Sequence, residues 1–277
     1  MKRTFLIINF SLLILFASCD KINPNEYTTT TGGSGPSNWE NFNVQRALVE
    51  KYTGPKCPNC PNADVALDAA HEQYGDRLIV ISVNHPTGQG EPFNGQPDLR
   101  TDDGTAWDTY FGINAIPAAY INRDPSTLFS GSMGNISAAI GEVVNAMPLC
   151  NIGVDARRSS ANEVGIDVDL ELLSDIGGEM TLTLALVEDS LVYKQSLPGG
   201  GVQDDYVHNH MLRDVITNTW GDEIPMQGYA REHKVGHFTY TLPNADPQIK
   251  TENCHIVAFV SDKASRKVLN SAQCKIQ

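Results

Sequence analysis

Hydrophobic positions along this 277-residue chain change period after its midpoint. Ala47-Leu48-Val49 opens a short strand that runs to about Tyr52, and Thr53-Gly54-Pro55-Lys56 turns the chain. Ala63, Val65, Ala66, Leu67, Ala69, Ala70 and Tyr74 then recur at helical spacing up to Gly75. Leu78-Ile79-Val80-Ile81-Ser82-Val83 is a continuous, β-branched run, the signature of a strand buried on both faces of a parallel sheet. Strand, helix, strand predicts a βαβ unit. Beyond it, Thr87–Gly104 is rich in Gly, Pro and Asp and predicts a surface insertion near the functional face. Gly104–Phe111 predicts a helix and Ala118–Ile121 a strand. Asn135–Met147, with Ile136, Ala139, Ile140, Val143 and Val144, predicts a closing helix.

After Pro148 the period becomes two. Val164, Ile166, Val168, Leu170 and Leu172 alternate with Gly165, Asp167, Asp169 and Glu171, and Leu182, Leu184 and Leu186 alternate with Thr181, Thr183 and Ala185. Such alternation describes antiparallel strands with one apolar and one wet face. Further strands are expected at Cys150–Val154, His237–Thr241, Cys254–Val260 and Arg266–Ile276. The fold class predicted is an α/β domain over residues 39–148 followed by an all-β, immunoglobulin-like sandwich over 149–277. Tyr206–Arg213, with its His208 and His210, and Thr219–Asp222 read as an ordered inter-strand segment, with Met211 and Trp220 packing on the sheet. No carboxylate or cysteine stands at ligand spacing to make those histidines a metal site.

The N-terminus reads as an address. Lys2-Arg3, an apolar stretch from Thr4 to Phe16 and the small residues Ala17-Ser18 form a signal peptide over 1–18. Cys19 directly after it resembles a bacterial lipobox cysteine, which implies lipidation there and a membrane attachment through the lipid. Residues 19–38, with four consecutive threonines and a Gly-Gly pair, predict a flexible tether. A formal charge of −13 argues against nucleic acid as a partner, since phosphates repel a net anion. Export places the chain where disulfides form and persist.

The chemistry concentrates at Cys57-Pro58-Asn59-Cys60, on the turn that enters the first helix. Free backbone N–H groups and the positive helix end favour a thiolate there, so Cys57 is the expected nucleophile and Cys60 the resolving thiol of a Cys57–Cys60 disulfide. An inert structural disulfide fits the same spacing. A metal does not, because no second ligand pair completes a set; no metal and no cofactor is expected. His85, at the end of the second strand, is either a thiolate-stabilising imidazole or a turn histidine held by Pro86. Cys254 and Cys274 would face each other if the last hairpin centres on Ala264, which gives an expected Cys254–Cys274 disulfide. Pairing of Cys150 with either of them is the alternative.

Leu48–Gly54 leading into Cys57–Pro61, with Gly112-Ile113-Asn114-Ala115-Ile116-Pro117-Ala118 downstream, resembles the thioredoxin superfamily. That resemblance implies a cis Ile116–Pro117 bond facing the cysteines, with Pro117 orienting substrate, and a buried acid at Glu50 that relays protons to the resolving cysteine; a plain salt-bridged Glu50 on an edge is the alternative. Over nearly everything after the tether the chain also resembles the outer-membrane-protein-28-related lipoproteins. The segments that carry this are LVEKYTGPKCPNCP (48–61), YVHNHMLR (206–213) with TWGD (219–222), and CHIVAFV (254–260). This second resemblance implies an outer-membrane location on the periplasmic or surface face, and an adhesin role for some members.

The function expected is a membrane-anchored thiol–disulfide oxidoreductase whose partners are exported proteins with thiols or disulfides. The alternative is a surface binding module or adhesin, with a partner on the β-sandwich and a structural, non-catalytic Cys57–Cys60. One geometric condition separates them: catalysis requires the Cys57 sulfur at a helix start and open to incoming polypeptide.

Overall fold

The structure, a computed structural model, describes residues 27–28, 43–131, 133–245 and 247–277. The expected signal peptide, Cys19 and most of the tether lie outside them. Within the tether, Tyr27–Thr28 form a two-residue strand, β1. The first half contains β2 (Ala47–Thr53), α1 (Cys60–Tyr74), β3 (Leu78–Asn84), α2 (Asp102–Phe111), β4 (Ala118–Ile121), β5 (Phe129–Ser130) and α3 (Ile136–Val144). β2 and β3 are parallel, as their unbroken apolar runs dictate, and β4 joins β2 antiparallel. Pro61 sits in the first turn of α1, where its missing N–H costs nothing. Thr101 caps α2 by accepting from the Gly104 amide at 3.0 Å, and Gly112 ends it in the left-handed region at φ 63°.

The second half contributes β6 (Cys150–Arg158), β7 (Glu163–Leu172), β8 (Met180–Glu188), β9 (Leu191–Ser196), β10 (Val202–His208), β11 (Met211–Val215), β12 (Asp222–Glu223), β13 (His233–Thr241), β14 (Cys254–Asp262) and β15 (Val268–Lys275). Among the described residues these strands form three sheets. One is four-stranded, in the order β1-β13-β7-β6, and β9 and β10 pair only with each other. The third runs β15-β14-β8-β11-β3-β2-β4-β5, with β12 also on β8. The last order differs from the expected separation at residue 148: one sheet passes from the β-rich half into the α/β half. β11 makes the seam, antiparallel to β8 and parallel to β3 through Met211 and Ser82, and the Ser82 amide donates to the His210 carbonyl at 2.7 Å. The segment expected to lie between strands, Tyr206–Arg213, instead holds the end of β10 and the start of β11.

Both faces of the long sheet are covered, so β8 and most of β14 are buried although their sequences alternate. Leu182, Leu184, Leu186, Ile256, Ala258 and Val260 pack toward the four-stranded sheet. On the opposite face Val187, Val257 and Phe259 continue the core formed by Leu48, Ile79, Ile81 and Trp107 of α2. The wet face predicted for β8 is therefore dry. In the α/β half, Val49, Leu78, Val80 and Ile121 pack against α1 and α3. Asn270, fully buried, ties three segments together. Its amide donates to the Val44 and Cys150 carbonyls at 3.1 and 2.7 Å, and its oxygen accepts from the Arg46 amide at 3.0 Å.

The expected Cys254–Cys274 bond is absent: Cys150, Cys254 and Cys274 are free thiols. A register shift between Val260 and Ser261 sets the β14–β15 pairing at Ile256 opposite Cys274, and the Ile276 amide donates to the Cys254 carbonyl. The two sulfurs are thus diagonal neighbours on one face instead of direct partners. Burial pushes all three thiols up to about 12.

Candidate functional site

Cys57 and Cys60 form a disulfide with Cα atoms 5.5 Å apart, Cys60 being the first residue of α1. The Cys57 amide donates to the Gly54 carbonyl at 3.1 Å and the Cys60 amide to the Cys57 carbonyl at 3.3 Å, which fixes the loop as a tight entry to the helix. Ile116–Pro117 is cis. The sequence-level requirement for a helix beginning is met.

The requirement for an open sulfur is not. Cys57 is 0% exposed and Cys60 1%. The β9–β10 hairpin covers the cysteine loop through its backbone carbonyls. Gln195 of β9, itself 2% exposed, donates its side-chain amide to the Cys57 carbonyl at 2.9 Å and to the Gly54 carbonyl at 3.3 Å. The neighbouring Ser196 amide donates to the Pro55 carbonyl at 2.8 Å. The 88–90 turn of the predicted surface insertion closes on the same loop, the Lys56 amide donating to the Gln89 carbonyl at 3.0 Å. Gly54 and Gly90 permit this approach: a Cβ on Gly54 would overlap the Gln89 carbonyl and Gly90 Cα, and one on Gly90 would overlap the His85 carbonyl.

Glu50 is buried beneath the sheet, as its place in an apolar strand suggests, but both of its oxygens accept from Arg123. Each side chain is 1% exposed. The guanidinium also lies 4.5 Å from the Trp107 ring centroid and 4.8 Å from that of Phe259. Arg123 thus grips both oxygens of Glu50 in a buried fork-like pair, which fixes the carboxyl within the scaffold. His85 Nδ1 sits 2.8 Å from Asp108 Oδ2, which makes Asp108 its partner; burial raises the Asp108 carboxyl.

Around the base of the cover lies a second polar group. Lys51 pairs with Asp64 of α1, and Tyr206 of β10 donates to Asp64 at 2.6 Å. Burial pushes Asp64 up, but Lys51 and the Tyr206 hydroxyl outweigh it and leave the carboxyl below its usual range. His208 packs beside Tyr206 with ring centroids 5.0 Å apart, and burial lowers its imidazole to about 4. Among the described residues no three His, Cys, Asp or Glu side chains gather as metal ligands, His208 and His210 included. Sequence reasoning missed Gln195, Ser196, Arg123, Asp64 and Tyr206. Of these only Arg123 left a trace, because Glu50 inside an apolar strand demands a buried cation.

The comparisons with known proteins fit this division. A probable thioredoxin of Methanothermobacter marburgensis is 31% identical over 74 residues, which is 27% of this chain and 68% of that protein. A probable thioredoxin of Methanothermobacter thermautotrophicus is 30% identical over the same lengths. The solved structure of HBP35 of Porphyromonas gingivalis superposes with a TM-score of 0.66 at 17% identity, covering 88% of this chain and 77% of that one, which shows a shared fold. Outer membrane protein Omp28, as a family, matches residues 104–277, from α2 through the last strand. The chain therefore belongs to the Omp28 family of outer membrane proteins, with a thioredoxin-like N-terminal part that carries a CxxC disulfide.

Proposed function

We propose that this protein is a lipid-anchored recognition protein of the outer membrane, held at Cys19 after removal of residues 1–18. In it the β-rich half, read as an immunoglobulin-like sandwich, engages an envelope or surface protein, and Cys57–Cys60 is a sealed crosslink in the resting state. The observation that carries this reading is the complete burial of Cys57, in a loop that Gln195 holds by the Cys57 carbonyl. A sulfur with no exposed surface cannot be reached in line by an incoming thiolate, which disulfide exchange requires. A Cys60→Ser variant expressed in the envelope tests it. The expected result is no mixed disulfide with exported proteins on non-reducing gels; covalent adducts through Cys57 would overturn the reading.

A second reading is supported by the position of Cys57-Pro58-Asn59-Cys60 at the start of α1 and by the thioredoxin likeness. It is the thiol–disulfide oxidoreductase acting on exported protein cysteines, with Cys57 attacking, Cys60 resolving and Pro117 orienting the substrate. That chemistry needs the cover to leave first. In both readings Arg123 holds Glu50, which supports a structural place for that carboxyl.

A further inference from the structure

We infer that the β9–β10 hairpin is a hinged gate over the Cys57–Cys60 disulfide, which lifts without unfolding the rest of the molecule and so makes the disulfide conditionally reducible. This goes beyond the recognition reading and does not depend on it.

The hairpin is built as a separate flap. β9 and β10 pair with each other and with neither of the larger sheets. Its two roots are Ser190 and His210, both non-glycine residues in the left-handed region at φ 61° and 59°. They turn the ribbon out of the plane of β8 and β11. The roots are also tied to each other: the Ser190 amide donates to Asn209 Oδ1 at 2.9 Å, and the His210 amide to Asp189 Oδ1 at 2.7 Å. A base closed on itself keeps its shape while the ribbon beyond it swings, and hinges of this kind are a few element-terminal residues that absorb a change in φ and ψ.

The contact between flap and cysteine loop is polar and narrow. It consists of the Gln195 side chain on two carbonyls and the Ser196 amide on a third, with the Lys194 amide on Gln96 Oε1 at 3.3 Å beside it. Water replaces each of these bonds when the part of the flap beyond Tyr206 lifts, while Tyr206 stays on Asp64 at the root. The outer strand is held at its root, where Tyr206 donates to Asp64 of α1 at 2.6 Å, and is free beyond it. Val202, Gln203, Asp204 and Asp205 are exposed, and Val192 and Val207, opposite each other across the ribbon, are about half exposed. Sparse apolar burial and solvent-facing strands mark the segments that open locally. Gly199, Gly200 and Gly201 at the tip, all at positive φ, leave that end without side-chain anchors.

With the gate lifted, a dithiol donates two electrons. Its first thiolate displaces one sulfur of Cys57–Cys60 to give a mixed disulfide. Its second thiolate then displaces the other protein sulfur, leaving Cys57 and Cys60 as thiols and the reagent as a cyclic disulfide.

The test follows reduction of the purified protein by dithiothreitol under native conditions, with iodoacetamide labelling read site by site by mass spectrometry. Cys150 and Cys254, both 0% exposed, report opening of the whole fold. The expected result is labelling of Cys57 and Cys60 while Cys150 and Cys254 stay unlabelled, at a rate at least tenfold higher in Gln195→Ala. Gln195→Glu, which keeps the size but loses the donor, serves as the second variant if the first does not fold, with the same result expected. Labelling of all four cysteines in step, or a rate unchanged in the folded variant, would overturn the gate. Neither outcome decides whether Cys60→Ser traps partners, so the recognition reading stands or falls separately.

Discussion

Arg123 Nε and Nη2 both donate to the Glu50 carboxylate, at 2.6 to 3.0 Å, in a pocket closed by Trp107 and Phe259. The pair ties β2 to the segment after β4 and makes Glu50 part of the scaffold. Removing one partner leaves an uncompensated charge in the core. Arg123→Met should therefore cost about 3–5 kcal/mol in urea unfolding, and the double variant Glu50→Leu/Arg123→Met should recover most of it. A double variant as unstable as the single one would show that the pair contributes by more than mutual neutralisation.

Asn270 offers a second stability test. Its truncation to Ala leaves the Val44 and Cys150 carbonyls and the Arg46 amide without their buried partner. Each such orphan costs about 1–3 kcal/mol, so the midpoint of denaturant unfolding should fall by an amount equivalent to about 3 kcal/mol or more. A shift below about 1 kcal/mol would mean that water enters and satisfies the site.

Gly90→Ala should loosen the cysteine loop where the 88–90 turn meets it. The added methyl would meet the His85 carbonyl, and backbone cannot yield as a flexible side chain can. The 88–90 turn must shift, which weakens the bond from the Lys56 amide to Gln89. Hydrogen exchange at the Lys56 amide should rise, with little change at Ser196.

The pH dependence of stability should carry the mark of His208. Its imidazole is lowered to about 4, mainly because burial disfavours the charged ring and also through nearby Lys51. Asp64 and the backbone of Lys194 and Tyr193 offset part of this. In the unfolded chain the group titrates near its ordinary value of about 6.5. Between about 4 and 6.5 the unfolded state binds more protons, so stability rises with pH across that window and is lost as the pH falls through it. His208→Gln should shrink the difference in Tm between pH 7 and pH 5. An unchanged difference would place the acid sensitivity in other groups.

The free thiols make the simplest count. Denatured without reductant, the protein should take up three alkyl groups among Cys150, Cys254 and Cys274 and none at Cys57 or Cys60. In the native state at pH 8 Cys150 and Cys254 should be inert, since burial holds both thiols near 12. A single labelled thiol would show that the diagonal pair had closed into a bond.

What the sequence made legible was local. The βαβ unit around Cys57, the cis-capable Ile116–Pro117 and the alternating strands of the second half all rest on patterns within a few residues of one another. The features that decide the site are distant in sequence. Gln195 reaches Cys57 across 138 positions and Arg123 reaches Glu50 across 73. Leu191–Ser196 and Met211–Val215 are short, and one earns its buried place only by pairing with β3 and β8, a register that no nearby residue signals. The Cys254–Cys274 expectation failed because the hairpin is not centred on Ala264 and the register shift at Val260–Ser261 displaces the pairing by one position more, which symmetry about the turn cannot anticipate.

Because β11 joins β8 to β3, heat should take the thioredoxin-like part and the β-rich part apart in a single cooperative transition. A chain cut near Pro148 would then leave β3 with a bare border, inviting another copy to dock there and clump.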